Sequence, residues 1–599
     1  MNNAQKKIIP DTFKETIIKD FTFLKSSKNL DEAFNRGIPL PQSGGHLIPL
    51  ASFHAEDPLL IRELSAWRTC HAYTYPSQFP VTIEGTKNWI LNKVIGVSDR
   101  ILFLILDRFG NRIGHVGFAN CLNEDSAMEV DNVLRGREDC HPGIMSEAMR
   151  ELIKWSQNTL WPEKIFLRVM HNNARAIRFY ERLKFIEKTR LPLRRHQSGD
   201  VVQFLPPSED DTSEPDRYFI LMEHSLAKYA PESLILTAGP SISPREVSYA
   251  TDAARSGWNN QWNKYLKEFE GAFSEYVGCR YALATSSCTG ALHIALAALG
   301  IGPGDEVIVP DITWVATANA VLYVGATPVF CDIHEDTWVM DVESARRLIT
   351  SKTKAIMPVH LYGHPCDMEA VLALAKEYSL YVVEDAAPSI GAEYHNQRTG
   401  SFGHFAAFSF QGAKLAVTGE GGMLVCNDEA LYNKAYAIWD QGRAPGTFWI
   451  QSNGLKYKMS NIQAAIGLGQ IQRNDAMVRA KRRIFDWYCE GLQGVPYLSL
   501  CKEPINTRSI YWMSSVLLQE KSPIARDALI AELKKNKIDT RPVFPAISQY
   551  PIWPIKQAPQ PVAKRVGDNA INLPSGVCLK REEVHYVCDT IRNIFKACK

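Results

Sequence analysis

Lys414 lies in Phe408-Ser-Phe-Gln-Gly-Ala-Lys414, and Thr418-Gly-Glu-Gly-Gly-Met423 follows it. A lysine between an apolar run and a glycine cluster can hold a carbonyl compound as an imine, because glycines let the backbone pass close to a ligand. Asp385 follows the apolar run Leu380-Tyr-Val-Val-Glu384. A carboxylate at a strand end there can face the nitrogen of a bound pyridine ring. Thr285-Ser-Ser-Cys-Thr289 is a hydroxyl-rich turn that opens an apolar helix. Free N–H groups and the helix dipole meet an anion at such a turn. Imine lysine, ring-nitrogen acid and phosphate cradle are the three parts that pyridoxal-phosphate (PLP) chemistry requires. Each also has an ordinary reading taken alone: a solvated surface lysine, a helix N-cap at Asp385 and a common cap at the turn.

A second group of residues lies nearer the N-terminus. Pro142-Gly-Ile-Met-Ser-Glu-Ala-Met149 opens a helix after the strand-like Met128-Glu-Val-Asp-Asn-Val133, and Asn173-Ala-Arg-Ala-Ile-Arg-Phe-Tyr180 opens another. Acyl transfer from a coenzyme A thioester needs helix N–H groups for the pyrophosphate, here at Gly143 and Ile144, and an acid near the leaving sulfur. Glu129 and Asp131 alternate on the strand and are candidate bases for the amine. The ordinary alternatives are packing for Tyr180, an N-cap for Asn173 and a solvated strand face for the two acids.

The elements that position these residues form two domains, since 599 residues exceed what one core accommodates. Residues 1–45 mix charge, Asn and Ser without a sustained period and are expected to be a loosely ordered leader. Residues 46–226 read as mixed α/β: a hairpin of Ile101–Leu106 and Ile113–Phe118, a helix at 143–158, a strand at 164–169, a helix at 173–183 and a strand at 218–222. The acidic, proline-bounded 206–215 is a loop inside this domain. After a linker at 227–236, strands at 306–310, 355–359 and 380–384 alternate with helices over 237–599. That pattern predicts a mainly parallel sheet with ligands at the strands' carboxyl ends.

Composition narrows the function. A net charge of +2 offers no broad footprint for nucleic acid. Thirteen scattered cysteines without a C-x-x-C pair suggest neither a disulfide scaffold nor a zinc site. With no signal-peptide core and no long apolar run, the expectation is a cytoplasmic enzyme that does not contact a membrane.

In order and spacing, the C-terminal segments resemble the DegT/DnrJ/StrS sugar aminotransferases, a branch of the fold-type I PLP enzymes. The resemblance extends to Gly302-Pro-Gly-Asp-Glu306, Ala316-Thr-Ala-Asn319, His360-Leu-Tyr-Gly363, Glu384-Asp-Ala-Ala387 and Gln463-Ala-Ala-Ile-Gly467. It implies a mainly parallel large domain with a small C-terminal α/β subdomain. By the same resemblance, Lys414 is the imine lysine and proton-transfer base, and Asp385 pairs with the pyridine nitrogen. Ser409 and Thr289 are phosphate ligands, and Trp314 stacks on the ring, a buried core tryptophan being the rival reading. Dehydratase relatives carry histidine in place of the lysine, so Lys414 implies transamination. Three positions depart from the family pattern. Pro388 replaces a glutamine, Cys288 a glycine of the phosphate turn, and Lys456 an asparagine that often reaches the phosphate of a neighbouring subunit. A lysine there can serve as a point charge for phosphate, and its place implies a homodimer.

Residues 46–226 resemble the GNAT N-acetyltransferases. The N-x-x-A-x-x-F-Y box at 173–180 is intact, whereas Arg135-Gly-Arg-Glu-Asp-Cys-His-Pro-Gly143 is longer than the usual pyrophosphate loop. By resemblance, Tyr180 protonates the departing thiolate and Asn173 contacts the coenzyme arm. The two halves together imply a bifunctional enzyme. A nucleotide-linked 4-keto-6-deoxyhexose receives an amine at C4 from glutamate, then an acetyl group from acetyl-CoA, for a surface polysaccharide. The rival reading keeps the aminotransferase and makes the GNAT half a binding or regulatory module. A weaker third makes the whole chain a ligand sensor, against which the pairing of Lys414 with Asp385 argues.

Overall fold

A computed structural model describes residues 12–208, 211, 213–224, 231 and 233–598. Of the expected leader, residues 1–11 lie outside the described residues, as do 227–230 and 232 of the expected linker. The chain forms two compact units, divided near residue 229, with Ser243–Ser248 grouped with the first.

The N-terminal unit is built on a ten-stranded sheet. Its strands run in the order Ile38–Leu40, Gly45–Pro49, Ile101–Leu106, Arg112–Ala119, Ala127–Arg135, Lys164–Met170, Arg217–His224, Phe185–Ser198, Val201–Leu205 and Ser77–Gln78. The predicted hairpin pairs Ile101 with Phe118. Only Ala127–Arg135 and Lys164–Met170 run parallel, and they pair over just three residues, from Ala127↔Lys164 to Glu129↔Phe166. Beyond that point the sheet splays. Helix Ile144–Thr159 buries Ile144, Ala148, Met149, Leu152 and Ile153 against Phe103, Val116, Phe118 and Leu167.

Residues 12–45, expected to be a loosely ordered leader, are ordered instead. Thr12 and Glu15 form a capping box on helix Phe13–Lys25, whose Ile17, Phe21 and Leu24 enter the same core. Their i, i+4, i+7 spacing makes one apolar stripe, which the intervening charges obscure in the sequence. Asn29 caps helix Leu30–Asn35. The buried Glu147 accepts hydrogen bonds from the N–H groups of Gln42 and Ser43, which fixes the approach to the second strand.

The C-terminal unit has a seven-stranded sheet ordered Tyr281–Thr285, Gly422–Cys426, Phe405–Ser409, Tyr381–Asp385, Thr353–Ile356, Glu306–Pro310 and Thr327–Cys331. Gly422–Cys426 is antiparallel to both neighbours and the remaining pairs are parallel, as the βαβ pattern predicts. A four-stranded antiparallel sheet (Leu498–Leu500, Ser514–Leu518, Ala570–Leu573, Arg541–Pro542) forms the small subdomain. It shares a core with Ile484 and Tyr488 of helix Asn474–Leu492 and with Val584, Val587 and Ile591 of helix Arg581–Ala597.

Candidate functional site

Three strands of the C-terminal unit end together. Thr285 and Ser409, each the last residue of its strand, both pair with Gly422, and Asp385 ends the next strand in the sheet. A Cβ on Gly422 would lie 2.5 Å from the Cys288 nitrogen, so only glycine lets the helix Cys288–Ala298 begin directly over this edge. Ser287 caps that helix through the Gly290 N–H. Among the described residues, the N–H groups of Cys288 and Thr289 have no protein acceptor and remain free for an anion. The Ser409 hydroxyl accepts from Gln411 N–H and keeps its own proton to give.

Asp385 is buried. Its Oδ1 accepts from Ala387 N–H at 3.1 Å and its Oδ2 from the Thr317 hydroxyl at 2.6 Å. Burial raises its pKa, and the Thr317 and Ala387 hydrogen bonds and the Lys414 charge oppose the rise. The neighbouring Glu384 points to the other side of the strand. It accepts from the backbone of Gly400, Phe402 and Gly403 and from His360 Nε2. Because Cys366 N–H donates to His360 Nδ1, that ring carries its proton on Nε2 and is neutral. Glu384 thus fixes the loops around the strand that carries Asp385.

Lys414 Nζ lies 3.8 Å from the centre of the Trp512 ring and has no hydrogen-bond partner among the described residues. Burial lowers its pKa to about 8, with Asp385 and Cys288 opposing the shift. Burial raises the Cys288 thiol, and the nearby Asp385 adds to this. The strand ends set the acid and the hydroxyl-rich turn at one sheet edge, and Lys414 follows Ser409 by five residues. Trp314 is 58% exposed, which excludes a core role. Its ring lies 5.7 Å from that of Phe544, which stacks on Tyr362, which stacks in turn on Trp512. Sequence reading placed Thr317 and Tyr362 in family-like motifs without giving them a role, and missed Trp512 and Phe544. Lys456 is exposed, with no partner in this chain among the described residues.

An imine-forming amine, a buried acid and an unpaired N–H cradle suit PLP. The lysine without a partner and the close approach at Gly422 fit that group. The departures at Pro388 and Cys288 leave this geometry intact.

In the N-terminal unit, the strands diverge immediately after Glu129. Val130–Arg135 and Leu167–Met170 therefore turn unpaired edges toward each other, open to a ligand's backbone-like groups. Glu129, one of the two candidate bases, is held in a bidentate ion pair. Arg168 Nε and Nη2 lie at 2.7 and 2.9 Å, and Asn120 also donates. Three donors hold it, so it anchors the strands. Asp131 lies past the divergence. Burial raises its pKa; Arg100 at 3.5 Å opposes this and Glu129 adds to it. Tyr180 is buried against Phe179 and Phe185, and its hydroxyl is raised by burial and by Asp131. Asn173 caps helix Ala174–Arg182 through Ala176 N–H, which is the ordinary reading of that residue.

Gly143 adopts φ +87°, as the turn into its helix requires. The Ile144 N–H, expected to be free, donates to His141 O at 3.2 Å. Among the described residues, the N–H groups of Gly143, Met145 and Ser146 have no acceptor. The long loop before it folds on itself, with Arg135 bonded to the carbonyls of Arg137 and Glu138, and Arg137 to Asp139.

The fold and the sheet-edge site of the C-terminal unit define a PLP-dependent aminotransferase. The chain belongs to the DegT/DnrJ/EryC1/StrS aminotransferase family, whose sequence model matches residues 240–592; residues 48–186 match an acetyltransferase (GNAT) domain. GDP-perosamine synthase of Escherichia coli O157:H7 is 41% identical over 357 residues, covering 59% of this chain and 97% of that protein. Among solved structures, DesV of S. venezuelae aligns with TM-score 0.55 and 31% identity over 59% of this chain and 94% of its own. The PLP form of a Streptococcus pneumoniae protein described as a putative sugar aminotransferase, Spr1654, aligns with TM-score 0.57 and 27% identity over 62% and 100%. No described helix is long and apolar enough to cross a membrane.

Proposed function

We propose that this chain makes an acetamido sugar in two consecutive steps. Residues 237–599 transfer an amine from glutamate to C4 of a nucleotide-linked 4-keto-6-deoxyhexose. Residues 46–226 then acetylate that amine from acetyl-CoA, and residues 227–236 join the two parts. The product serves a surface polysaccharide, and the enzyme acts in the cytoplasm as a homodimer in which Lys456 meets the phosphate of the neighbouring site.

The convergence of Lys414, Asp385 and the Cys288–Thr289 turn at one sheet edge carries the reading. PLP supplies the electron sink for exchange of amine and carbonyl. The Cys288 and Thr289 N–H groups, the Thr289 hydroxyl and Ser409 would bind its phosphate, and Trp314 would cover its ring. Asp385 would face the ring nitrogen and favour a proton there. Lys414 Nζ, neutral above about pH 8, takes a proton from the substrate carbon and returns one. Similarity to a GDP-perosamine synthase supports the C4 position and a nucleotide-linked sugar.

In the acyl-transfer half, Asp131 takes the proton from the amine and Tyr180 gives one to the thiolate. The Gly143, Met145 and Ser146 N–H groups bind pyrophosphate. A rival reading, a coenzyme-binding module without turnover, draws on the self-bonded 135–139 loop. The test supplies synthetic 4-amino sugar nucleotide and acetyl-CoA to Lys414→Ala protein. Acetylation at the parent rate, reduced about 100-fold by Tyr180→Phe, is the expected result; coenzyme binding without acetylation contradicts this half.

A further inference from the structure

Asp385 is oriented by a chain of hydroxyls that enters from the turn carrying Trp314. Thr313 and Thr317 stand four residues apart at the start of helix Ala316–Tyr323, with their Oγ1 atoms 3.0 Å apart. Thr317 Oγ1 lies 2.6 Å from Asp385 Oδ2 and 3.2 Å from the Trp314 carbonyl. A threonine hydroxyl has one proton. The shorter contact, to a charged acceptor, takes it. Thr313 must then donate to the oxygen of Thr317, which gives the chain one direction: Thr313 to Thr317 to Asp385. Thr313, Thr317 and Asp385 are all buried, at 2%, 0% and 5% exposure, so bulk water does not replace a lost member. The same turn presents the exposed Trp314 on its other side.

We propose that Thr317, polarised by Thr313, is the positioning residue for the cofactor's ring acid. It fixes the plane of the Asp385 carboxylate and keeps that group ionised, so that the proton rests on the ring nitrogen rather than on the acid. Ala387 N–H holds the second oxygen, which leaves rotation about the Asp385 side chain blocked from both sides. One helical turn thereby sets both the acid at the ring's edge and the aromatic residue at its face.

The test compares Thr317→Val, which keeps the shape and removes the hydroxyl, with Thr317→Ser, which restores it, and with Thr313→Val. The holoenzyme's visible cofactor band is titrated with pH, alongside steady-state kinetics with a 4-keto-6-deoxy sugar nucleotide. A more basic Asp385 draws the proton off the ring nitrogen, and the less electron-poor ring holds the imine proton to higher pH. Thr317→Val therefore moves the band's midpoint up by about one pH unit and lowers kcat about tenfold at unchanged KM. Thr317→Ser returns both to the parent values, and Thr313→Val moves them part of the way. A Thr317→Val midpoint equal to the parent's overturns the proposal, as does a Thr317→Ser protein that stays displaced with it. Loss of thermal stability with the midpoint unmoved marks Thr317 as packing and overturns it equally.

Discussion

In the proposed function Lys414 is the residue on which the chemistry turns, and its surroundings set the pH at which it works. Burial holds the amine at about pKa 8, against 10.5 for a free lysine. Only the neutral amine attacks the aldehyde of PLP. The rate of cofactor uptake by apoenzyme should therefore rise with pH and level off near about pH 8, followed by stopped-flow absorbance. A rate still climbing steeply toward pH 10 contradicts this environment. The sign for stability follows from the same depression. The folded apoprotein binds fewer protons than the unfolded chain between about 8 and 10.5, so Lys414's contribution is present above 10.5 and lost as pH falls through about 8. At this scale the sequence was legible where chemistry is local. Lys414 with its glycines and Asp385 at a strand end were legible as candidates. Thr317, Trp512 and Phe544 were not, because each becomes part of the site only through a contact with a segment distant in sequence. Glu129 and Asp131 look equivalent on a strand. Only the bidentate pairing with Arg168, from the next strand, singles out Glu129; Asp131 faces Arg100 at 3.5 Å and accepts from Asn132 instead.

Elements bring these residues together by close approach. Strand Gly422–Cys426 reaches the phosphate turn because Gly422 has no side chain, and a methyl group there would sit 2.5 Å from the Cys288 nitrogen. Gly422→Ala should push the helix start away, weaken PLP binding at least about tenfold and lower stability by about 1–3 kcal/mol. Equilibrium dialysis and denaturant titration measure the two, and unchanged PLP affinity contradicts the cradle. In the N-terminal unit, helix Phe13–Lys25 is part of the core. Ile17→Ala should cost about 2–5 kcal/mol, read from the urea midpoint of that unit; a loss under about 0.5 kcal/mol restores the view of a dispensable leader. The strands at 101–106, 112–119, 164–170 and 217–224 were legible from their apolar runs. Strand Phe185–Ser198 was not, since only Phe185 and Leu193 of its fourteen residues are buried, leaving no alternation to read.

The whole molecule joins a family whose members it resembles over 240–592 to a GNAT domain at 48–186. In the proposed function, an amine made by one half is the nucleophile that the other half consumes, so the product of the first step sets the order of the two. The most direct test is mass spectrometry of the products from a sugar-nucleotide panel incubated with PLP, glutamate and acetyl-CoA, comparing native protein with Lys414→Ala. The account predicts an amino sugar followed by its acetamido derivative from a 4-keto-6-deoxyhexose nucleotide, with both absent in the variant and the acetamido product restored when the amine is supplied. No amine from any keto sugar contradicts it at its centre.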